Sequence, residues 1–191
     1  MSFLWEFVRS PMTVGAVAPS GRTLARVVTA PVPSAGHPVV VELGPGTGAF
    51  TAAIQHRLAG RGRHIAVELN ERFAERLALA HPRVDVVRAD ARQLTDVLAG
   101  RGLAGADVAV SGLPWAAFAA ADQHDLLTAV ISVLPPEGAF TTFAYVHARW
   151  AAPARRLLHS LRARFDEVVI GRTVWSNLPP ALVYHCRRPI S

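Results

Sequence analysis

From residue 39 onward, short apolar runs rich in β-branched residues alternate with segments whose apolar positions recur at helical spacing. This alternation predicts an α/β fold, with a mostly parallel sheet and helices on both faces. The predicted strands are residues 39–43, 64–68, 84–88, 107–111, 139–145, 167–173 and 182–187. The predicted helices between them are residues 49–58, 71–80, 92–99, 120–134 and 153–164.

The last two predicted strands have no helical segment between them, only residues 174–181. Strands joined by so short a connection pair antiparallel, so the sheet should contain seven strands with one reversed.

Residues 1–30 precede the first predicted strand. We divide the chain into this N-terminal helical extension, residues 1–30, and one α/β domain, residues 31–191.

Apolar residues near the N-terminus share one face of a short predicted helix that Pro11 ends: Phe3, Leu4, Phe7 and Val8. Such a helix is too short to span a bilayer but can lie on its surface, with Trp5 and Arg9 at headgroup depth. The alternative is a helix that docks on the protein core.

A second helical run, residues 21–29, carries Arg22 and Arg26 four positions apart. Two arginines on one helix face can hold a phosphodiester, although charged pairs on helices are often simply solvated.

The formal net charge is +6, and all 20 basic residues are arginines. This balance favours an anionic partner, either nucleic acid or a membrane surface. No run reaches the roughly 18 to 20 apolar residues that span a bilayer, and no secretory signal is evident. We therefore expect a cytoplasmic protein, or one attached peripherally to the inner face of the membrane. The lone cysteine, Cys186, is expected to be a buried thiol.

The first predicted strand runs into Glu42-Leu43-Gly44-Pro45-Gly46-Thr47-Gly48, and Glu68 closes the second strand about twenty residues later. Glycines permit a tight turn and bare backbone for close approach of a ligand. Glu68 can accept hydrogen bonds from ribose hydroxyls. An acid two residues before the first glycine would repel a pyrophosphate but can attract an ammonium. The pattern favours a nucleoside-bearing cofactor over a turn with no ligand.

This pattern resembles the first motif of the Rossmann-like, seven-strand class I methyltransferases that use S-adenosylmethionine and release S-adenosylhomocysteine. The resemblance places Gly44, Gly46 and Gly48 around the methionine portion, with Glu42 near its ammonium. It extends to Asp90 and Ala91, where that superfamily seats the adenine. No histidine or cysteine spacing suggests a metal site.

Longer motifs resemble the bacterial phospholipid N-methyltransferases of the Rhodobacter type: the opening at residues 7–20, Ser-Gly-Leu-Pro at 111–114, and Val-Trp-x-Asn-Leu-Pro-Pro-Ala at 174–181. This resemblance implies methylation of phosphatidylethanolamine and its methylated forms toward phosphatidylcholine. It also implies a membrane phospholipid substrate, an N-terminal helix on anionic lipid, and Arg9, Arg22 or Arg26 on the substrate phosphate. A monomer is favoured.

Chemistry in α/β sheets lies where strands end, and the predicted fourth strand ends at Ser111. We group Ser111 with the cofactor, and Leu113, Pro114 and Phe118 with the substrate. An aromatic cage of Trp115, Phe118 and Tyr145 would tolerate a cationic amine through repeated methylations. Tyr145 or His147 would relay the proton that the amine must lose.

Other functions remain open. Ser111 stands where adenine N6-methyltransferases carry an amide or acid. This difference argues against the assignment as an RNA adenine dimethyltransferase and against nucleic acid as a partner. A small-amine methyltransferase on the same scaffold is an alternative. A membrane-binding protein that keeps the cofactor pocket without turnover is another.

Overall fold

The computed structural model describes residues 21–190, and these contain one seven-stranded sheet. The strand order is β3-β2-β1-β4-β5-β7-β6. The strands are β1 (Val39–Leu43), β2 (Arg63–Glu68), β3 (Asp85–Arg88), β4 (Val108–Ser111), β5 (Ala139–Tyr145), β6 (Phe165–Ile170) and β7 (Ala181–Pro189).

The described chain contains six α-helices, one before β1 and five between strands. They are α1 (Arg22–Val28), α2 (Ala49–Leu58), α3 (Glu71–Ala80), α4 (Leu94–Ala99), α5 (Ala120–Ser132) and α6 (Ala152–Arg164). Single 3-10 turns precede α4 and follow β4 and β5: Ala91–Gln93, Trp115–Ala117 and Val146–Ala148.

The predicted strand directions are confirmed. Strands β1 to β5 pair in parallel, whereas β7 runs antiparallel to both β5 and β6, so one strand is reversed. Tyr145, the last residue of β5, lies opposite Ala181, the first residue of β7. The loop that precedes β7 therefore lies at the carboxyl edge of the parallel strands, where ligands bind in open α/β sheets.

Alternation along each strand divides most apolar residues between two large cores, one on each face of the sheet. A third, small cluster contains Ala66, Leu77 and Val84. The larger core includes Phe140 and Phe165, and Cys186 is buried in it, as expected. The second core lies beneath α1 and α2, where Leu24 and Val28 of α1 are fully buried. Helix α1, which we assigned to the N-terminal extension, thus packs on the same sheet.

The predicted N-terminal helix, residues 3–9 including Arg9, lies outside the described residues. Among residues 21–190, no helix combines the length and apolar character needed to cross a bilayer.

Gly62 supplies a test of the fold away from the ligand edge. It has a φ of +64°, and a Cβ built on it would lie 2.1 Å from the carbonyl oxygen of Pro38. That oxygen is held by the backbone N–H of Arg63 at 2.9 Å and cannot move freely. We expect Gly62→Ala to lower the free energy of unfolding by about 2 kcal/mol or more.

The matched control is Gly102→Ala, because Gly102 has a similar φ of +67° but no described residue within 4 Å of a Cβ built on it. It should cost only about 1 kcal/mol, the strain of the left-handed conformation. Urea denaturation of both variants measures the difference, and equal losses would contradict the proposed clash.

Candidate active site

Two tight turns meet where β1 and β4 end. A Cβ on Gly112 would lie 2.6 Å from the carbonyl oxygen of Gly44, and a Cβ on Gly44 would lie 2.6 Å from Cδ2 of Leu113. Neither contact leaves room for another side chain. The turn after β4 is therefore fixed against the turn after β1.

The other two glycines of the β1 turn differ in their surroundings. Gly46 has a φ of +54°, and no described residue lies within 4 Å of a Cβ built on it, so the described part of the chain leaves its backbone bare. Gly48 packs closely, since a Cβ there would lie 2.9 Å from Leu77 and 3.3 Å from His81. A ligand can therefore approach the backbone at Gly46, whereas the missing side chain of Gly48 lets the start of α2 pack closely against α3.

Glu68, at the end of β2, closes one side of this cradle. Its Oε2 accepts a hydrogen bond from the backbone N–H of Gly46 at 3.1 Å, and its Oε1 accepts from the N–H of Asn70 at 2.8 Å. Burial raises the pKa of Glu68 above its ordinary value, and the backbone hydrogen bonds only partly oppose that shift. The nearby charge of Glu42 raises it further.

Glu42 is fully buried and is held by two partners. Its Oε2 accepts from Thr51 Oγ1 at 2.7 Å and contacts His64 Nε2 at 3.1 Å. The amide Nε2 of Gln55 faces His64 Nδ1 at 3.0 Å, so Nδ1 accepts and Nε2 carries the proton toward Glu42. Oε1 of Glu42 has no hydrogen-bond partner among the described residues. A buried carboxylate oxygen without a donor is costly and points to a ligand or water.

Sequence reasoning missed the supporting role of His64. The signal was present: His64 pairs in register with Val40, two residues before Glu42 on the adjacent strand, so both polar side chains share a face.

Asp90 lies at the edge after β3, where its carboxylate caps the 3-10 turn. It accepts from the backbone N–H of Arg92 at 2.9 Å and pairs with the guanidinium of Arg92. Burial acts to raise the pKa of Asp90, but the hydrogen bonds and charge of Arg92 outweigh it and lower that pKa. Ala91, the first residue of that turn, is buried. Both residues lie at the predicted edge, with Asp90 already engaged by Arg92.

Ser111 and Trp115 satisfy each other inside the core. The indole Nε1 donates to Ser111 Oγ at 2.9 Å, and Trp115 is only 1% exposed. Its ring packs edge-on against Phe118 and Phe140, at centroid distances of 6.3 and 5.9 Å. Because the hydroxyl of Ser111 accepts from its N–H, the indole can be fully buried. Trp115 is therefore part of the core and does not line the open pocket that the sequence had suggested. The Ser111 hydroxyl is likewise turned toward Trp115 and the turn.

The predicted aromatic cage does not form. Trp115 and Phe118 belong to the larger core, whereas Tyr145 packs against the core on the opposite face. Tyr145 stacks on His147, with a centroid distance of 5.8 Å and an interplanar angle of 8°. Burial raises the pKa of Tyr145 to about 12. Its phenol thus stays protonated near neutral pH, while His147 is exposed beside it.

Helix α1 begins at the same edge. The backbone N–H of Gly21 donates to Asn177 Oδ1 at 2.8 Å, and Asn177 Nδ2 donates to the carbonyl of Pro179 at 2.7 Å. This buried asparagine, absent from our predicted site residues, joins the start of α1 to the loop before β7. Arg22 and Arg26 are exposed on α1 and form no ion pair with the described residues.

The remaining predicted substrate residues lie beside these turns. Leu113 and Pro114 are partly buried in the turn after β4. Within residues 21–190, no cluster of three or more histidine, cysteine or acidic side chains is arranged to hold a metal ion.

The strand order, the glycine turn after β1 and the acid that ends β2 define a class I methyltransferase. A family model described as a methyltransferase domain matches residues 40–138. The chain belongs to this family and is an S-adenosylmethionine-dependent methyltransferase. It is 37% identical over 196 residues to the ornithine lipid N-methyltransferase of Singulisphaera acidiphila, an alignment that covers 97% of this chain and 94% of the relative.

Solved structures share the fold at low sequence identity. The O-methyltransferase TomG from Streptomyces achromogenes, in complex with SAM, superposes with a TM-score of 0.62 at 16% identity, covering 97% of this chain and 89% of that one. A precorrin-6y C5,15-methyltransferase from Geobacter metallireducens gives 0.63 at 17% identity, covering 87% and 88%.

The residues of the edge suit S-adenosylmethionine. Bare backbone at Gly46 leaves space, and Glu68 offers acceptor oxygens. Oε1 of Glu42, which has no partner in the described part of the chain, can accept a hydrogen bond from an ammonium. Two buried carboxylates also suit a cofactor that carries positive charge.

Binding of S-adenosylhomocysteine tests the role of Glu68. We expect Glu68→Gln to weaken it about ten- to a hundredfold, because a charged acceptor is replaced by a neutral one. In the wild type, affinity should fall as the pH is lowered toward 4.5, since the raised pKa lets Glu68 take up a proton early. Calorimetry across pH measures both effects.

The control is Glu75→Gln, an exposed position on α3, which should bind like the wild type. If Glu68→Gln showed the same affinity and pH dependence as the wild type, the assignment of Glu68 would be contradicted.

Proposed function

We propose that this enzyme methylates the primary amine of a membrane lipid headgroup. The observation that carries the proposal is the relative that aligns along nearly the whole chain at 37% identity and is named for N-methylation of a lipid. The turn at residues 111–114 agrees with this choice. Residue 111 is a serine, so the turn lacks the amide or acid that would bind the exocyclic amine of a nucleobase. The Ser111 hydroxyl already accepts a hydrogen bond from Trp115.

The cofactor site would be formed by the β1 turn and the acids around it. When bound, S-adenosylmethionine supplies an electrophilic methyl group on its sulfonium. Glu42 would hold the ammonium of the methionine portion through Oε1, with His64 and Thr51 fixing the carboxylate. Glu68 would accept hydrogen bonds from the ribose. These contacts orient the cofactor, which matters because methyl transfer depends on alignment.

The acceptor side would be formed by Tyr145 and His147. An alkyl ammonium has a pKa near that of lysine, about 10, so it must lose a proton before it can attack. The phenol of Tyr145 remains protonated, so it can orient the amine by a hydrogen bond but cannot remove its proton. His147, stacked on Tyr145 and open to solvent, is the proton acceptor that the geometry favours.

The headgroup anion would be met by arginines on α1. Arg22 lies in the first turn of the helix, next to the Gly21–Asn177 contact at the carboxyl edge. Arg26 lies one turn further along the helix. Arg22 is therefore better placed for a phosphate or carboxylate of the substrate.

Two acceptor lipids follow from different observations. The motifs at residues 7–20 and 174–181 resemble those of phosphatidylethanolamine methyltransferases, whereas the aligned relative is named for ornithine lipid. Because the whole-chain alignment is the stronger observation, we place ornithine lipid first and phosphatidylethanolamine second. A peripheral position on the inner face of the membrane, with residues 3–9 as a surface helix, belongs to the same proposal.

Transfer of a labelled methyl group tests the acceptor. Purified protein, labelled S-adenosylmethionine and detergent-dispersed ornithine lipid or phosphatidylethanolamine should give labelled lipid, with more product from ornithine lipid. Chromatography separates the methylated products. Label in neither lipid, combined with label in an added small amine or in RNA, would contradict the proposal.

Tyr145→Phe tests the acceptor side. Removing one hydrogen bond to a charged or polar amine should lower kcat/KM about tenfold. The shape of the pH profile between about pH 6 and pH 9 should not change, because the Tyr145 phenol does not ionise there. His147→Ala should instead alter that profile. If Tyr145→Phe removed an ionisation from the profile, our assignment of the proton acceptor would be overturned.

A further inference from the structure

Three large apolar side chains are exposed at the edge that carries the proposed active site. Trp150 is 71% exposed, Trp175 74% and Leu178 77%. Together with the exposed Arg149 and Arg172, we call them the rim. Burial of such side chains would release considerable free energy, so their exposure at one edge calls for a partner.

Hydrogen bonds fix the segments of the rim to one another. The N–H of Val146, which begins the 3-10 turn four residues before Trp150, donates to the carbonyl of Pro180 at 2.9 Å. The N–H of Val174 donates to the carbonyl of Ala181 at 2.7 Å. Asn177, between the two exposed residues of the loop, is bonded to Gly21 of α1. The rim is therefore held at the carboxyl edge, beside the end of β5.

The charge of these segments has one sign. Residues 21–32, 145–152 and 171–181 contain Arg22, Arg26, Arg149 and Arg172 but no aspartate or glutamate. The guanidinium of Arg149 lies 4.4 Å from the ring centroid of Trp150. None of the four arginines forms an ion pair with a described residue. Tryptophan and arginine together suit the boundary between headgroups and acyl chains.

We propose that the rim docks the enzyme on an anionic lipid bilayer, with Trp175 and Leu178 entering the headgroup region. The inference rests on the proposed function, since a lipid amine stays in the bilayer and the site must come to it. Docking through this edge would bring the end of β5, with Tyr145 and His147, to headgroup level. The positive charge would select anionic over zwitterionic membranes, by about fivefold in partitioning per arginine near the surface.

The test uses the full chain and sucrose-loaded vesicles of phosphatidylcholine with or without phosphatidylglycerol. Wild-type protein should sediment with the anionic vesicles and much less with the neutral ones. The double variant Trp175→Ala/Leu178→Ser should partition at least about tenfold more weakly. The matched control is Leu79→Ser, since Leu79 is 85% exposed but lies on α3, which contacts β2 and β3 at the other side of the sheet.

Quenching gives a second measurement that does not depend on a drastic variant. Spin-labelled acyl chains should quench the fluorescence of wild-type protein on anionic vesicles, and Trp175→Phe should remove a large part of that quenching. Trp115 cannot contribute much, because it is buried in the core, so the quenching that remains in Trp175→Phe would come from Trp150 of the rim and from Trp5.

Methyl transfer separates this inference from the proposed function. The double variant should keep its activity on detergent-dispersed amine lipid and lose about tenfold on vesicles. Vesicle binding equal to that of the wild type, with unchanged quenching in Trp175→Phe, would overturn docking by the rim. Normal docking without methyl transfer to any lipid would instead refute the proposed function.

Discussion

The contact between the turns after β1 and β4 is the constraint on which the ligand edge depends. At that contact the carbonyl of Gly44 faces Gly112 and the side chain of Leu113 covers Gly44, so the two turns share a space that admits no further atoms. Two residues further along the β1 turn, at Gly46, no described residue lies within 4 Å of a built Cβ. A cofactor can therefore approach the β1 turn at Gly46, whereas Gly44 and Gly48 are covered by neighbouring side chains.

Buried negative charge gives this opening its selectivity. Glu42 has one oxygen held by Thr51 and His64 and one without a partner among residues 21–190, and its charge acts on Glu68 across the edge. Burial of carboxylates is costly unless a cation or hydrogen-bond donors compensate. The fold therefore keeps a site whose charges are satisfied best by a positively charged ligand with hydroxyl groups, which describes S-adenosylmethionine.

Periodicity predicted the sheet well because its strands are buried on both faces and bounded by turn residues; the bounds of β1, β5, α2 and α3 agree with the sequence-based ranges. The helix predicted over 92–99 instead begins as a 3-10 turn, since the side chain of Asp90 binds the backbone of Arg92. The hydrophobic pattern could not predict which way a side chain points in a turn. Trp115 was expected at a pocket, but the hydroxyl of Ser111 satisfies its N–H inside the core.

A crystal structure of the full-length enzyme with S-adenosylhomocysteine tests the central claim most directly. We predict the methionine ammonium within hydrogen-bond distance of Glu42 Oε1, directly or through one water, the ribose hydroxyls on Glu68, and the chain of the ligand passing over Gly46. A ligand bound elsewhere, or one that leaves Glu42 Oε1 without a donor, would contradict the account.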